Sequence, residues 1–152
     1  MKILLADRHA TLELGARLAR CWQPAVVLLF YGDLGSGKTT CIQGLAHELG
    51  IGEPVTSPTF SLIEEYGGGP WPLIHIDLYR LEPQEVPALG LEELWEQPAI
   101  VAIEWAERLS ELPENYLRIR LDWHEPRTAT VGAQGDAAGE LLRQLQQLYR
   151  DR

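Results

Sequence analysis

Two apolar runs dominate the pattern of hydrophobic and polar positions, and each predicts a strand that is buried on both faces of a sheet. Residues 25–31 and residues 99–103 contain no charged side chain and are rich in valine, isoleucine and leucine. Runs of this length and composition are typical of the central strands of a parallel sheet. We therefore expect these two strands to lie beside each other at the centre of the fold.

Helical spacing follows the first of these strands. Apolar residues recur there at i, i+3, i+4 and i+7, and a glycine ends the pattern (Ile42, Leu45, Ala46, Leu49 and Gly50). Similar stripes predict a helix that begins between residues 7 and 11 and a helix near the C-terminus (Leu14, Leu18 and Cys21; Leu141, Leu145 and Leu148). Residues 83–97 predict only short helical pieces, because Pro87 and Gly90 interrupt them.

The remaining apolar segments predict strands nearer the edges of the sheet. Residues 2–5 form a short opening strand, and residues 60–66 and 73–79 flank a glycine-rich turn as a hairpin. Residues 117–121 alternate apolar and arginine side chains, which predicts a half-exposed antiparallel edge strand with a return strand near residues 128–131. The chain, residues 1–152, is thus expected to be a single α/β domain of three layers, with a mostly parallel central sheet and antiparallel strands at the edges.

The turn after the first apolar strand carries the clearest motif. Residues 32–39 read Gly-Asp-Leu-Gly-Ser-Gly-Lys-Thr and fit the Walker A pattern, which makes the fold P-loop NTPase-like. Its glycines let backbone N–H groups converge on a phosphate at the positive end of a helix dipole. The predicted nucleotide contacts are Gly35, Ser36, Gly37, Lys38, Thr39 and Thr40. The alternative is a glycine-rich turn that binds nothing, and the strand before it and the helix after it favour the phosphate loop.

Two acids are placed to serve ATP and Mg²⁺ at that loop. Glu104 ends the second buried strand, and Asp77 lies within the more amphipathic run of residues 73–79. A carboxylate at the end of a central parallel strand projects into the crevice where ligands bind. We therefore predict that Thr39 and Glu104 hold the metal, whereas Asp77 holds a metal-bound water or the attacking water. For either acid, a solvated strand end is the alternative.

Other nearby residues leave more than one interpretation open. Residues 56–59 (Thr-Ser-Pro-Thr) either sense the γ-phosphate or make a turn. His75 is interpreted as a histidine that supports the structure or orients a neighbouring group, rather than as a general base. Arg80 either offers charge to the phosphates or pairs with a surface acid. Trp105 either packs near the nucleotide or contacts a partner.

Composition narrows the functional classes. The 152 residues are 45% hydrophobic and 23% charged, with a net charge of -9. The charge weighs against direct nucleic-acid binding, which requires a basic face. The longest apolar runs are too short to span a bilayer, so we expect no membrane association. Cys21 and Cys41 have no metal-type spacing and are interpreted as buried thiols in a reducing compartment. The expected location is cytoplasmic.

Four blocks of the sequence resemble the TsaE family, formerly called YjeE. They are residues 32–40, residues 57–60 (Ser-Pro-Thr-Phe), residues 75–81 (His-Ile-Asp-Leu-Tyr-Arg-Leu) and residues 103–105 (Ile-Glu-Trp). The blocks occur in the family's order and spacing, and residues 11–15 and the chain length also match. The block at residues 75–81, with its His-x-Asp-Leu-Tyr-Arg pattern, is far more specific than the Walker A pattern.

The resemblance implies a small bacterial Mg²⁺-dependent ATPase of tRNA threonylcarbamoyladenosine biosynthesis. In that family the protein joins TsaB and TsaD, and TsaD transfers threonylcarbamoyl to the adenosine beside the anticodon. ATP hydrolysis resets the complex between turnovers. The tRNA is then contacted only indirectly, through the partners.

The resemblance also implies roles for single residues. Lys38, Thr39 and Glu104 serve the phosphates and Mg²⁺, Asp77 supports hydrolysis, and Thr11 contacts the nucleotide.

The last third of the chain matches the family loosely, and Arg127 and Gly132 are its candidate contacts to the base or ribose. Ser36 and Cys41 differ from the alanine and phenylalanine that are commoner at those places.

Two other functions use the same loop. A small-molecule kinase would also bind ATP, but the sequence has no arginine-rich lid, and the pair Arg118 and Arg120 lies on a predicted edge strand. A regulatory nucleotide-binding module without useful turnover is the third possibility.

Overall fold

The computed structural model describes residues 1–58 and 61–151, and its strands form one sheet. In chain order the strands are β1 (Lys2–Leu4), β2 (Val27–Tyr31), β3 (Ile63–Tyr66), β4 (Leu73–Asp77), β5 (Ile100–Glu104), β6 (Tyr116–Asp122) and β7 (Thr128–Gln134). Their spatial order is β1-β7-β6-β2-β5-β4-β3. The predicted class, α/β with a mostly parallel central sheet, is confirmed.

The centre of the sheet is parallel and its margins are antiparallel. Strands β6, β2, β5 and β4 run in one direction, whereas β7 and β3 run against their neighbours, and β1 runs against β7. Strands β2 and β5 are neighbours, with Leu28 opposite Ala102 and Leu29 opposite Ile103. All residues of both strands are buried, so the prediction drawn from the two apolar runs is confirmed.

Helices cover the two faces of the sheet unequally. They are α1 (Arg8–Cys21), α2 (Lys38–Glu48), α3 (Leu91–Trp95) and α4 (Asp136–Arg150), with 3₁₀ turns at Pro83–Leu89 and Ala106–Arg108. Helices α1, α2 and α4 bury the larger apolar cluster, while α3 and the 3₁₀ turns cover the opposite face. Within residues 1–58 and 61–151, none of the helices has the length and apolar content to cross a membrane.

The hairpin at one margin of the sheet is confirmed among the described residues. Strands β3 and β4 pair antiparallel from Ile63 opposite Ile76 to Tyr66 opposite Leu73. The predicted start of the first strand at residue 60 lies outside the described residues, as does residue 59 of the preceding loop.

The prediction of an edge strand at residues 117–121 is wrong. Strand β6 lies inside the sheet, parallel to β2 and antiparallel to β7. Its alternation of apolar and arginine residues has another cause: Leu117, Ile119 and Leu121 face the larger cluster, whereas Arg118 and Arg120 are exposed on the other face. Alternation reports the two faces of a strand, and it does not report whether the strand has neighbours on both sides.

Glycines allow helices α1 and α2 to approach until their backbones touch. A Cβ atom on Gly15 would lie 1.9 Å from the carbonyl oxygen of Cys41, and one on Gly44 would lie 2.1 Å from that of Leu12. No side chain fits at either place, because real Cβ contacts are far longer. Since α2 begins at the phosphate loop, this contact fixes the helix that carries the loop.

We therefore predict that Gly15→Ala lowers the free energy of unfolding by at least about 1–3 kcal/mol, the usual effect of overpacking. Urea unfolding followed by circular dichroism measures it. Gly139→Ala in α4 is the matched control, because its nearest neighbour is an arginine side-chain nitrogen 3.9 Å away. The control should gain up to about 1 kcal/mol from helix propensity. Equal stabilities for the two variants would contradict the close helix contact.

Candidate functional site

The turn between β2 and α2 has the backbone of a phosphate cradle. Gly32, Gly35 and Gly37 have φ angles of 142°, 82° and 107°, a region that favours glycine. A Cβ on Gly32 would also lie 2.5 Å from the carbonyl oxygen of Leu121. Gly37 is the N-cap of α2 and makes no side-chain cap hydrogen bond. A helix N-terminus without a side-chain cap favours an anion beside its first N–H groups.

A cavity of about 370 Å³ lies in front of this turn. Its walls are residues 34–40, Ser57, Asp77, Tyr79, Glu104 and Trp105. The volume falls within the range of small-molecule sites. The structure thus brings all the predicted contacts of the loop together with both predicted acids.

Lys38 is buried at the mouth of the cradle. Its residue is 4% exposed, and its ammonium donates to the carbonyl oxygens of Gly32 and, at 3.1 Å, of Asp33. The same nitrogen lies 4.2 Å from the ring centre of Trp105. Burial lowers the pKa of Lys38, because removal from water disfavours the charged form, and the carboxylate of Glu104 acts in the opposite direction. An incoming phosphate would give this ammonium anionic oxygens as hydrogen-bond acceptors in place of the neutral carbonyl oxygens.

Thr39 and Glu104 meet at the start of α2. The Thr39 hydroxyl lies 2.9 and 3.1 Å from the two carboxylate oxygens of Glu104, and Glu104 itself is 3% exposed. On its other side, Oε2 of Glu104 lies 2.6 Å from Nε2 of His75. A hydroxyl and a carboxylate beside a phosphate cradle are the oxygen ligands that Mg²⁺ accepts when phosphate and water complete its shell.

This donor set is not a metal cage made of protein alone. Among the described residues there is no cluster of three or more His, Cys, Asp or Glu side chains that could hold a metal ion. Mg²⁺ is commonly bound through one or two protein oxygens together with substrate phosphates, so the residues present fit such an ion.

Asp77 occupies the next position along the sheet edge. It pairs with Glu104 in the register of β4 and β5, and it is 8% exposed. Its Oδ2 accepts a hydrogen bond from Ser57 at 2.5 Å, and its Oδ1 accepts one from the backbone N–H of Tyr79 at 2.9 Å. Thr39 is thus bonded to Glu104 and not to Asp77 in the contacts described, which favours Glu104 as the metal ligand.

The Ser57 bond also bears on the loop that precedes β3. Either interpretation of this loop, as a phosphate sensor or as a turn, stays open, and residue 59 lies outside the described chain. What the structure adds is a direct hydrogen bond from the loop to Asp77. A displacement of Ser57 would therefore change the hydrogen bonding of that acid.

Thr11 lies next to Gly37 of the cradle, and the two C-terminal candidates are not among the residues that line the cavity. The Cγ2 atom of Thr11 is 3.4 Å from the place where a Cβ on Gly37 would stand. Arg127 is exposed in the connection from β6 to β7, and Gly132 lies within β7 opposite Arg118. Neither lines the cavity. Contacts of these three residues with a nucleotide stay predictions.

Two aromatic residues line the cavity; Trp105 was expected near the nucleotide, whereas Tyr79 was not predicted. Trp105 has φ 58° directly after β5, and its ring centre lies 4.9 Å from that of Tyr79, which is 47% exposed. The position of Tyr79, two residues after Asp77, is a signal that could have identified it. The left-handed backbone conformation of Trp105 could not be predicted from the sequence, because tryptophan has no preference for a positive φ.

Comparisons with known proteins find matches over most of the chain. The family model described as "Threonylcarbamoyl adenosine biosynthesis protein TsaE" matches residues 5–130. A protein named tRNA threonylcarbamoyladenosine biosynthesis protein TsaE from Nostoc is 49% identical over 144 residues, which is 92% of this chain and 84% of that protein. A protein of the same name from Bacillus subtilis is 46% identical over 114 residues, or 74% of this chain and 70% of that protein.

A solved structure has the same fold. The crystal structure of Bacillus subtilis YdiB superposes with a TM-score of 0.83 at 32% sequence identity, over 100% of this chain and 96% of that chain. The similarity therefore extends beyond the phosphate loop to the whole sheet.

Proposed function

Because the chain belongs to the TsaE family, we propose that it is a cytoplasmic Mg²⁺-dependent ATPase that supports threonylcarbamoylation of the adenosine beside the anticodon in tRNA. The family is named for the biosynthesis of this modified nucleoside. Nucleotide chemistry at the phosphate loop is the finer part of the proposal, and it rests on the geometry of the site.

The observation that carries the proposal is the contact between Thr39 and Glu104. It joins the first turn of α2 to the end of the neighbouring strand β5, with 2.9 Å between the hydroxyl and one carboxylate oxygen. A Mg²⁺ ion bound by these two residues would sit beside the phosphate cradle. When bound, the ion neutralises charge on the β- and γ-phosphate oxygens.

Lys38 and the backbone of the cradle bind and orient the triphosphate in this proposal. The ammonium would exchange its bonds to the Gly32 and Asp33 carbonyl oxygens for bonds to phosphate oxygens, which are charge-assisted and stronger. The N–H groups at the start of α2 would hold the same phosphates from below.

Asp77 orients the water that attacks the γ-phosphorus. Each carboxylate oxygen accepts one described hydrogen bond and keeps acceptor capacity for a water molecule. The bond from that water to phosphorus forms as the bond from phosphorus to the ADP oxygen breaks, and the products are ADP and inorganic phosphate.

Partner proteins of the TsaB and TsaD type are part of the proposal, in which ATP hydrolysis resets their complex. Phosphoryl transfer often requires an arginine beside the γ-phosphate. In the part of the chain that the structure describes, the cavity has no arginine in its walls. The candidate Arg80 does not line it, and Arg108, four residues after Glu104, donates a hydrogen bond to the carbonyl oxygen of Leu81. Slow intrinsic hydrolysis follows, since the missing charge would have to come from a partner or from a rearrangement that a partner induces.

Lys38→Ala should weaken binding of the Mg²⁺ complex of AMP-PNP by at least about 100-fold, because charge-assisted bonds to phosphate are lost. Calorimetric titration measures the affinity, and a thermal melt tests the fold. Lys2→Ala, at an exposed lysine of β1, is the control and should bind like the wild type. Unchanged affinity in a folded Lys38→Ala variant would contradict the phosphate assignment.

Glu104→Ala and Asp77→Ala should have separable effects. The first should abolish the gain in AMP-PNP affinity that Mg²⁺ produces, without weakening metal-free binding, since it removes a negative charge. The second should leave affinity within a few-fold and lower kcat for ATP by about 100-fold, as expected for lost orientation of the water. Titrations in EDTA and in Mg²⁺, with steady-state turnover, measure both effects.

Glu111 provides the control, because it is exposed and does not line the cavity. Glu111→Ala should behave like the wild type in every assay. The reverse pattern for the two acids would mean that Asp77 is the metal ligand.

Turnover of ATP should be slow for the isolated chain and rise by at least about tenfold when TsaB and TsaD type partners are added. The isolated chain should not bind tRNA tightly at physiological salt, because a net charge of -9 opposes phosphate contacts. Turnover assays and a tRNA binding titration test this. Fast turnover alone, or submicromolar tRNA binding, would favour an enzyme that acts independently.

A further inference from the structure

His75 lies fully buried beside the predicted metal ligand. Residues His75 and Asp77 point to the same face of β4, because side chains alternate along a strand. In the register of β4 and β5, His75 is opposite Ala102 and Asp77 is opposite Glu104. Glu104 is therefore the diagonal neighbour of His75, within reach of an imidazole. The observed separation of Nε2 from Oε2 is 2.6 Å, and His75 is 0% exposed.

The direction of this hydrogen bond follows from the two groups. A carboxylate oxygen can only accept, so the proton must lie on Nε2 of the imidazole. The other ring nitrogen, Nδ1, is buried and has no hydrogen-bond partner. A proton on Nδ1 would leave a buried donor unpaired, which costs about 1–3 kcal/mol. The tautomer that fits is thus the one with the proton on Nε2.

The bond restrains a side chain that otherwise has several rotamers. Oε2 of Glu104 is within hydrogen-bond distance of both the His75 ring and the Thr39 hydroxyl. Oε1 lies 3.1 Å from the same hydroxyl. With the imidazole fixed in the core, the plane of the carboxylate is fixed as well. Oε1 is then the oxygen that is left for a metal at the phosphate loop.

We propose that His75 is a positioning residue, which donates a hydrogen bond to Oε2 of Glu104 and thereby presents the other carboxylate oxygen to Mg²⁺. This inference rests on the proposed function, since it assigns a role toward the same ion. Partners of this kind behind a metal ligand typically contribute 10- to 100-fold to metal affinity, about the effect expected here.

A purely structural histidine would behave differently. Substitution of a structural histidine would change the stability of the protein equally with and without metal. A phenylalanine of similar shape could then take its place in the apolar core. A positioning histidine affects the response to Mg²⁺ selectively, and a side chain with a donor at the same place should restore that response.

The experiment compares His75→Phe, which keeps the ring but has no donor, with His75→Gln, whose amide nitrogen lies near the position of Nε2. A second apolar variant, His75→Leu, serves if His75→Phe does not fold. His47→Gln is the control, because His47 is exposed on α2 and does not line the cavity. Calorimetry gives AMP-PNP affinity in EDTA and in Mg²⁺, and thermal melts test folding.

The measured quantity is the ratio of the affinities with and without Mg²⁺. His75→Phe or His75→Leu should lower this ratio by about 10- to 100-fold. His75→Gln should keep it within a few-fold of the wild type, and affinity in EDTA should be unchanged throughout.

An unchanged ratio in a folded apolar variant would overturn the proposal, and so would an equal loss in the glutamine variant. If the wild type bound AMP-PNP in neither condition, the proposed function would fail and the inference with it. If the wild type responded to Mg²⁺ and the apolar variants did so equally, only the inference would fail.

Discussion

The parallel pairing of β2 with β5 is the constraint on which the site depends. Parallel neighbours end at the same edge of a sheet, so the turn after β2 and the carboxylate at the end of β5 must be close. The Thr39–Glu104 contact is the direct result. Apolar side chains hold the pairing from both sides, since the two strands contribute to both hydrophobic clusters. The most buried part of the fold therefore determines the geometry of its most polar part.

Around that contact the chain keeps an unusual concentration of buried charge. Lys38, Asp77 and Glu104 are each less than a tenth exposed, and ionised groups are rarely buried unless they are paired. Here the partners are backbone carbonyl oxygens, one backbone N–H, hydroxyls and one imidazole, and the two acids outnumber the lysine. Such an arrangement is suited to a ligand that brings both a cation and several anionic oxygens.

The sequence predicted the parts of the structure that depend on local pattern. The two apolar runs identified β2 and β5 as neighbours, and the glycine spacing identified the cradle. The interior position of β6 was not predictable from Arg118 and Arg120, because alternation describes faces and not neighbours. The contact of His75 with Glu104 depends on the register between β4 and β5, and a single amino-acid sequence does not specify that register.

The contact of α1 with α2 has a mechanical consequence. Where peptide groups touch at Gly15 and Gly44, one helix cannot slide along the other without forcing backbone atoms into each other. The contact therefore ties the floor of the cradle to α1, so that α2 and the loop that precedes it cannot shift along α1 by themselves.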